Sequence, residues 1–118
     1  QLPANEPLPE IRQLPYHYIE NSQGYTVAGW KFSKRWQFDF YDLLDVLCEQ
    51  QDWLRIKGIF HTNQGWIHFN FNPNDLNYKS GEEGIDNRIE VITQTNCDWS
   101  NFESAVLDCR IDLVEKPQ

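Results

Sequence analysis

The residues whose types and spacing could do chemistry are a histidine pair, a short basic strand and a thiol at a predicted helix start. His61 and His68 flank a turn at Asn63, Gln64 and Gly65. If Gln64 and Gly65 are the two loop residues of a hairpin, Phe60 sits opposite Phe69, and the two imidazoles face each other with Cβ atoms about 5 Å apart, near enough to share one transition metal. Two ligands hold a metal weakly, so a third would have to come from His17 or from Glu82, Glu83 and Asp86; solvated imidazoles are the plainer reading. Arg55 and Lys57 beside Gly58 could meet a phosphate or an acidic surface, while the bland reading is a close backbone approach at Gly58 and two solvated cations. A helix dipole would lower the pKa of Cys97, yet no base stands near it in the sequence. Gly24 and Gly29 have the spacing of a phosphate loop, but Trp30 and Lys31 follow where a Lys and a hydroxyl residue are needed, so the coincidence makes no nucleotide site.

These residues must be positioned by a β-rich domain. The first 23 residues carry Pro3, Pro7, Pro9 and Pro15 and read as a linker or docking segment, with Tyr16, Tyr18 and Ile19 alternating as an edge strand would. Residues 24–32 predict a first strand. Phe40, Leu43, Leu44 and Leu47 then recur at helical spacing behind an N-cap at Asp39, with Asp42, Asp45, Glu49 and Asp52 on the solvated face. Trp53–Thr62 and Trp66–Asn72 form the hairpin, on which Trp66, His68, Asn70 and Lys57 share the outer side. Residues 73–87, rich in Asn, Asp, Gly and Glu, predict a long mobile loop, and Arg88–Thr95 a fourth strand. A second helix is expected from Cys97 to Cys109, capped by Asp98 or Ser100, and a short last strand over Ile111–Val114. Cys48 and Cys109 read as small core residues. The expected architecture is α+β: a two-layer α/β sandwich with a mainly antiparallel four-stranded sheet and two helices on one face, spanning residues 24–114 before a tail at 115–118.

Composition narrows the function classes. A net charge of −8 opposes nucleic acid and anionic membrane and suits basic partners or metal cations. Three cysteines, with Cys97 and Cys109 too far apart along a helix to bridge, imply a reduced cytoplasmic protein. The absence of an initiator Met at Gln1 suggests a cut within a longer chain.

One continuous stretch, from Trp30 to Arg110, resembles a known family. Its pieces are Trp30-Lys31-Phe32, Phe38-Asp39, Leu54-Arg55-Ile56-Lys57-Gly58-Ile59-Phe60, Gly65-Trp66, Arg88-Ile89-Glu90-Val91-Ile92, and Trp99 with Phe102 and Cys109. Together they are similar to the carboxy-terminal domain of CobW-type GTPases, relatives of the nickel-delivery GTPases. The most specific piece is Arg55–Phe60 followed closely by Gly65-Trp66. The resemblance implies a non-catalytic accessory domain of a parent protein whose amino-terminal part binds GTP, Mg²⁺ and a transition metal, zinc or cobalt, and which serves metal delivery or cobalamin synthesis. It also implies contacts with that GTPase domain and with a client metalloprotein, for which Arg55, Lys57, Trp66 and Arg88 are the interface candidates. The family's phosphate loop and CxCC metal motif are absent from this sequence, and the basic residues expected just before Arg88 are replaced by Ile85-Asp86-Asn87.

Two other classes compete. An RNA-binding module would use the aromatic hairpin as a stacking platform, but would need more cations around it than Arg55 and Lys57. A small stand-alone enzyme would need a nucleophile, metal or dinucleotide motif, and none of these is present.

Overall fold

Alternation of apolar and polar side chains sets about half of the described residues into strands. A computed structural model describes residues 15–95 and 97–111. The elements are β1 (Tyr16–Ser22), β2 (Tyr25–Phe32), β3 (Gln37–Phe38), α1 (Phe40–Glu49), β4 (Trp53–Thr62), β5 (Gly65–Asn72), β6 (Asp75–Ser80), β7 (Asn87–Thr93), α2 (Ser100–Asp108) and β8 (Arg110–Ile111). The expected proline-rich stretch before residue 15, the end of the last strand and the tail lie outside the described residues.

The α+β class holds, but among the described residues the sheet has eight strands where four were expected. Six of them, in the order β1-β2-β7-β4-β5-β6, pair antiparallel; β3 and β8 add to the end of β4, with one parallel bridge at Phe38 and Thr62. The extra strands have identifiable causes. Residues 16–22 are zipped along β2 through a turn in which Gln23 and Gly24 both have positive φ. Residues 75–80 were expected to be loop, since Asn, Asp and Ser favour turns; instead they pair with the free edge of β5, whose unmet backbone groups outweigh the weak local preference.

Both helices lie on one face. Ala28, Trp30, Phe32, Ile56, Phe60, Phe69, Ile89 and Val91 point to that face and are buried. Trp30 packs against Trp99 and Phe102 at the start of α2, while Phe40 of α1 stacks on Phe69. Helix α1 is as the sequence predicts, except that Cys48 is exposed. It lies one residue past Leu47, which turns it about 100° away from the buried stripe. Helix α2 begins at Ser100, three residues later than expected, with the Asp98 carboxylate accepting from the Ser100 amide. Cys97 therefore lies outside the helix, and its thiol pKa is raised, by burial first and then by Asp52 and Asp98, where a lowering was expected.

A polar joint fixes the layers to each other. Asp39 caps α1 by accepting from the Asp42 amide, and its other oxygen accepts from the Asn63 side chain at the hairpin tip. Asn63 in turn accepts from the Phe40 amide, and the Asp39 amide donates to the Cys109 carbonyl. One residue thus ties the three together: its carboxylate joins the helix start to the hairpin turn, and its backbone amide holds the end of α2. Asp39→Ala is expected to cost about 1–2 kcal/mol, the upper range for a lost cap, because the Asn63 contact goes with it. Urea denaturation checks this, and a loss below a few tenths of a kcal/mol would show the joint to be idle.

Candidate functional site

The hairpin register decides where the histidines stand. Thr62 pairs with Gly65, leaving Asn63 and Gln64 as the loop, so Phe60 faces Ile67 where Phe69 was expected. Gly65 has φ +97, a conformation costly for other residues, which places it at the exit of the turn. The Thr62 hydroxyl accepts from the Gln64 amide and donates to the Gly65 carbonyl, locking that arrangement. The shift is by two residues in sum, so each side chain keeps its expected face while its partner changes.

His61 and His68 consequently do not face each other. His61 is opposite Trp66 and stacks on it at 5.0 Å, while His68 is opposite Ile59 and its Nε2 donates to the Glu82 carbonyl. His17 is on the helix-bearing face, stacked on Trp30, with Nδ1 donating to the Gly29 carbonyl. The donor set for a shared metal is not assembled, and among the described residues no group of three or more His, Cys, Asp and Glu could hold a metal ion. The buried Cys109 thiol is pushed up to about 12, chiefly by burial and then by surrounding carboxylates, which leaves it a poor metal ligand or nucleophile at neutral pH.

Among the described residues no helix lies on the other face of the sheet. Two neighbouring cross-strand rows run over it. One passes through Tyr16, Lys31, Arg88, Ile59, His68 and Lys79; the next passes through Tyr18, Gly29, Glu90, Lys57, Asn70 and Asn77. Between them lies a groove of about 480 Å³. At its β1 end the Tyr18 ring lies flat over Gly29, where any Cβ would collide with it, and its hydroxyl donates to Glu90. At the other end residues 81–86 fold back: Gly81 meets the His68 ring, and Gly84 lies against Ile59 and Trp66. An ion pair between Lys34 and Glu83 holds this segment down.

All four interface candidates lie on this face, in different states. Arg55 and Lys57 are exposed on β4. Trp66 is half-buried, stacked by His61 and touched by the Gly84 segment, so the outer side that it shares with His68, Asn70 and Lys57 is partly covered around its ring. Arg88 is engaged by Asp86 in a two-pronged contact of 2.7 and 3.1 Å, which raises its pKa. Lys31 and Lys79 of the groove were not singled out from the sequence, because only the strand order brings them beside Lys57.

The stretches that carry the family likeness meet in this arrangement. Trp30–Phe32, Arg88–Ile92 and Leu54–Phe60 are adjacent strands, β2, β7 and β4, with Gly65-Trp66 at the hairpin tip and Trp99 and Phe102 backing them from the helix side. A family profile described as the cobalamin synthesis protein cobW C-terminal domain matches residues 27–110. The chain belongs to the CobW C-terminal domain family. This CobW domain is also similar to a protein named zinc chaperone YeiR from Escherichia coli (strain K12), with 29% identity over 104 residues. That match covers 83% of the chain and 31% of the relative, so the CobW domain spans about a third of the length of the curated protein it matches. No solved structure matches. Among the described residues no helix is long and apolar enough to cross a membrane.

Proposed function

We propose that this CobW domain is the non-catalytic docking part of a GTP-dependent metal chaperone, and that the helix-free face of its sheet touches the parent's GTPase domain, a client metalloprotein, or both in turn. The observation that carries this reading is the one-sided cover: two helices shield one face, while the other keeps an open groove whose floor and walls include Lys57, His68, Lys79 and Glu90. A bare sheet face of this kind is a surface suited to a partner. The parent, by this reading, binds GTP, Mg²⁺ and zinc or cobalt in its amino-terminal part and works in a reducing cytoplasm, which agrees with three unpaired thiols here. Its activity in this domain is conformational, passing contact between nucleotide state and client. The RNA-binding alternative is weakened, since Trp66 is committed to His61 and the Gly84 segment and is not free to stack a base.

The test is a titration of the ¹⁵N-labelled domain with the parent's GTPase portion, loaded with GTP or GDP, and separately with the client. Amide and indole shifts are expected at Lys57, Ile59, Trp66 and His68, with α1 and α2 unmoved. Shifts confined to the two helices would overturn the assignment of the face.

A further inference from the structure

Five successive strands each place one cation or imidazole on the helix-free face within the two neighbouring rows: Lys31 on β2, Arg88 on β7, Lys57 on β4, His68 on β5 and Lys79 on β6. This happens in a chain of net charge −8, whose carboxylates Asp42, Asp45, Glu49 and Asp52 line the exposed helix side. Arg88 is already paired with Asp86, and Glu90 is hydrogen-bonded by Tyr18. Lys31, Lys57 and Lys79 make no ion pair among the described residues.

We propose that this groove binds an extended, carboxylate-rich segment of a partner polypeptide lying across the strands, with Lys31, Lys57 and Lys79 as its three contact points. The inference rests on the docking reading above and adds the chemistry of what docks. Neighbouring strands are about 4.8 Å apart, so the three lysines, two strands from one another, stand roughly 10 Å apart and the row spans about 19 Å. An extended peptide advances about 3.4 Å per residue and turns alternate side chains the same way, so about six residues cover the row, and flexible lysine stems reach carboxylates repeating every 7 Å or so. The side-chain amides of Asn70 and Asn77 beside Lys57 add neutral hydrogen-bonding groups, and Ile59 gives the floor an apolar contact. A phosphate backbone fits less well: it carries a charge on every unit and so sets some against Glu90, where a peptide can place an uncharged residue, and Asp86 already occupies Arg88, the side chain best shaped for phosphate.

The experiment is fluorescence anisotropy of a labelled hexaglutamate peptide with the 118-residue chain at low ionic strength. Saturable binding is expected, weakened roughly tenfold or more by combining Lys57→Glu with Lys79→Glu, by a smaller factor with Lys57→Gln and Lys79→Gln, and unchanged by Arg35→Glu, an exposed cation outside the groove. Added salt should release the peptide, because the contacts are exposed charges. The proposal is overturned if the double reversal, verified as folded by its melting curve, binds hexaglutamate as well as the parent sequence does. It is equally overturned if hexalysine, or a single-stranded oligouridylate, binds more tightly than hexaglutamate. If the double reversal abolishes peptide binding but leaves the GTPase-induced shifts intact, the groove is not what the GTPase uses, and the client becomes its occupant. Loss of peptide binding in the unaltered chain while those shifts persist sinks the acidic-segment proposal alone.

Discussion

Asn87→Ala is expected to lower the unfolding free energy by roughly 4 kcal/mol, and the melting temperature by about 15–30 °C. Asn87 is fully buried where β7 begins. Its side-chain oxygen accepts from the His61 amide at 2.6 Å, and its nitrogen donates to the carbonyls of Ser33 and Trp36 at 2.8 and 3.1 Å. Those three backbone groups belong to β4 and to the turn before β3, so one amide side chain closes the gap where β3 takes over from β7 as the neighbour of β4. Alanine leaves the His61 amide and the Trp36 carbonyl unmet, while the Ser33 carbonyl keeps the bond from the Trp36 amide; each unmet group costs about 1–3 kcal/mol when water cannot reach it. Asn87→Asp has nearly the same shape and keeps the acceptor, but sets a carboxylate against two carbonyl oxygens; it should be no more stable than the alanine variant at neutral pH. Urea denaturation measures both. A loss within about 1 kcal/mol for Asn87→Ala would mean that water or a neighbour replaces the amide and that the joint is dispensable.

The second large effect is expected at Gly58. A Cβ there would stand 2.8 Å from the Arg88 carbonyl oxygen and 3.3 Å from the Ile89 side chain. The first of these neighbours is backbone in the adjacent central strand, which cannot rotate aside, so β4 and β7 must separate locally. Gly58→Val should cost about 3 kcal/mol, and Gly58→Ala about 2, as overpacking in a filled interior does. Thermal unfolding of both variants, with hydrogen exchange of the Arg88 and Glu90 amides as a local reporter, decides the matter. Unchanged exchange at those amides would show that the strain is taken up elsewhere.

How much of this was legible in the sequence depends on how local each cause is. Helix α1 was readable because its signal is internal: a stripe of Phe40, Leu43 and Leu47 behind a capping Asp39. The facing of β4, β5 and β7 was readable too, since alternation alone fixes which side chains enter the core. The pairing partner across the hairpin was not, because the choice between Gln64-Gly65 and Asn63-Gln64 as the loop is made by the bond from Asn63 to α1 and by the positive φ of Gly65. Strand β6 was hidden by a turn-prone composition that a neighbouring edge overrides. Asn87 looked like the end of a polar loop, and nothing local marks it as the most connected buried side chain of its region. The lysine row was invisible for the same reason. Its members come from β2, β4 and β6, and only a strand order that inserts β7 between β2 and β4 makes them neighbours.

That order has a consequence for how the chain is made. Strand β7 is the last long strand to leave the ribosome, yet it is the slat that joins the β1–β2 ribbon to the β4–β5–β6 ribbon. Until it emerges, two half-sheets with greasy undersides wait in the nascent chain with no shared neighbour, and the ring cluster around Phe32, Phe60 and Phe69 cannot close. Long-range closures of this sort are slow, and the waiting ribbons are the natural prey of aggregation and the natural clients of a nascent-chain chaperone. A polypeptide stopped short of residue 87 would carry most of the domain's mass and little of its stability.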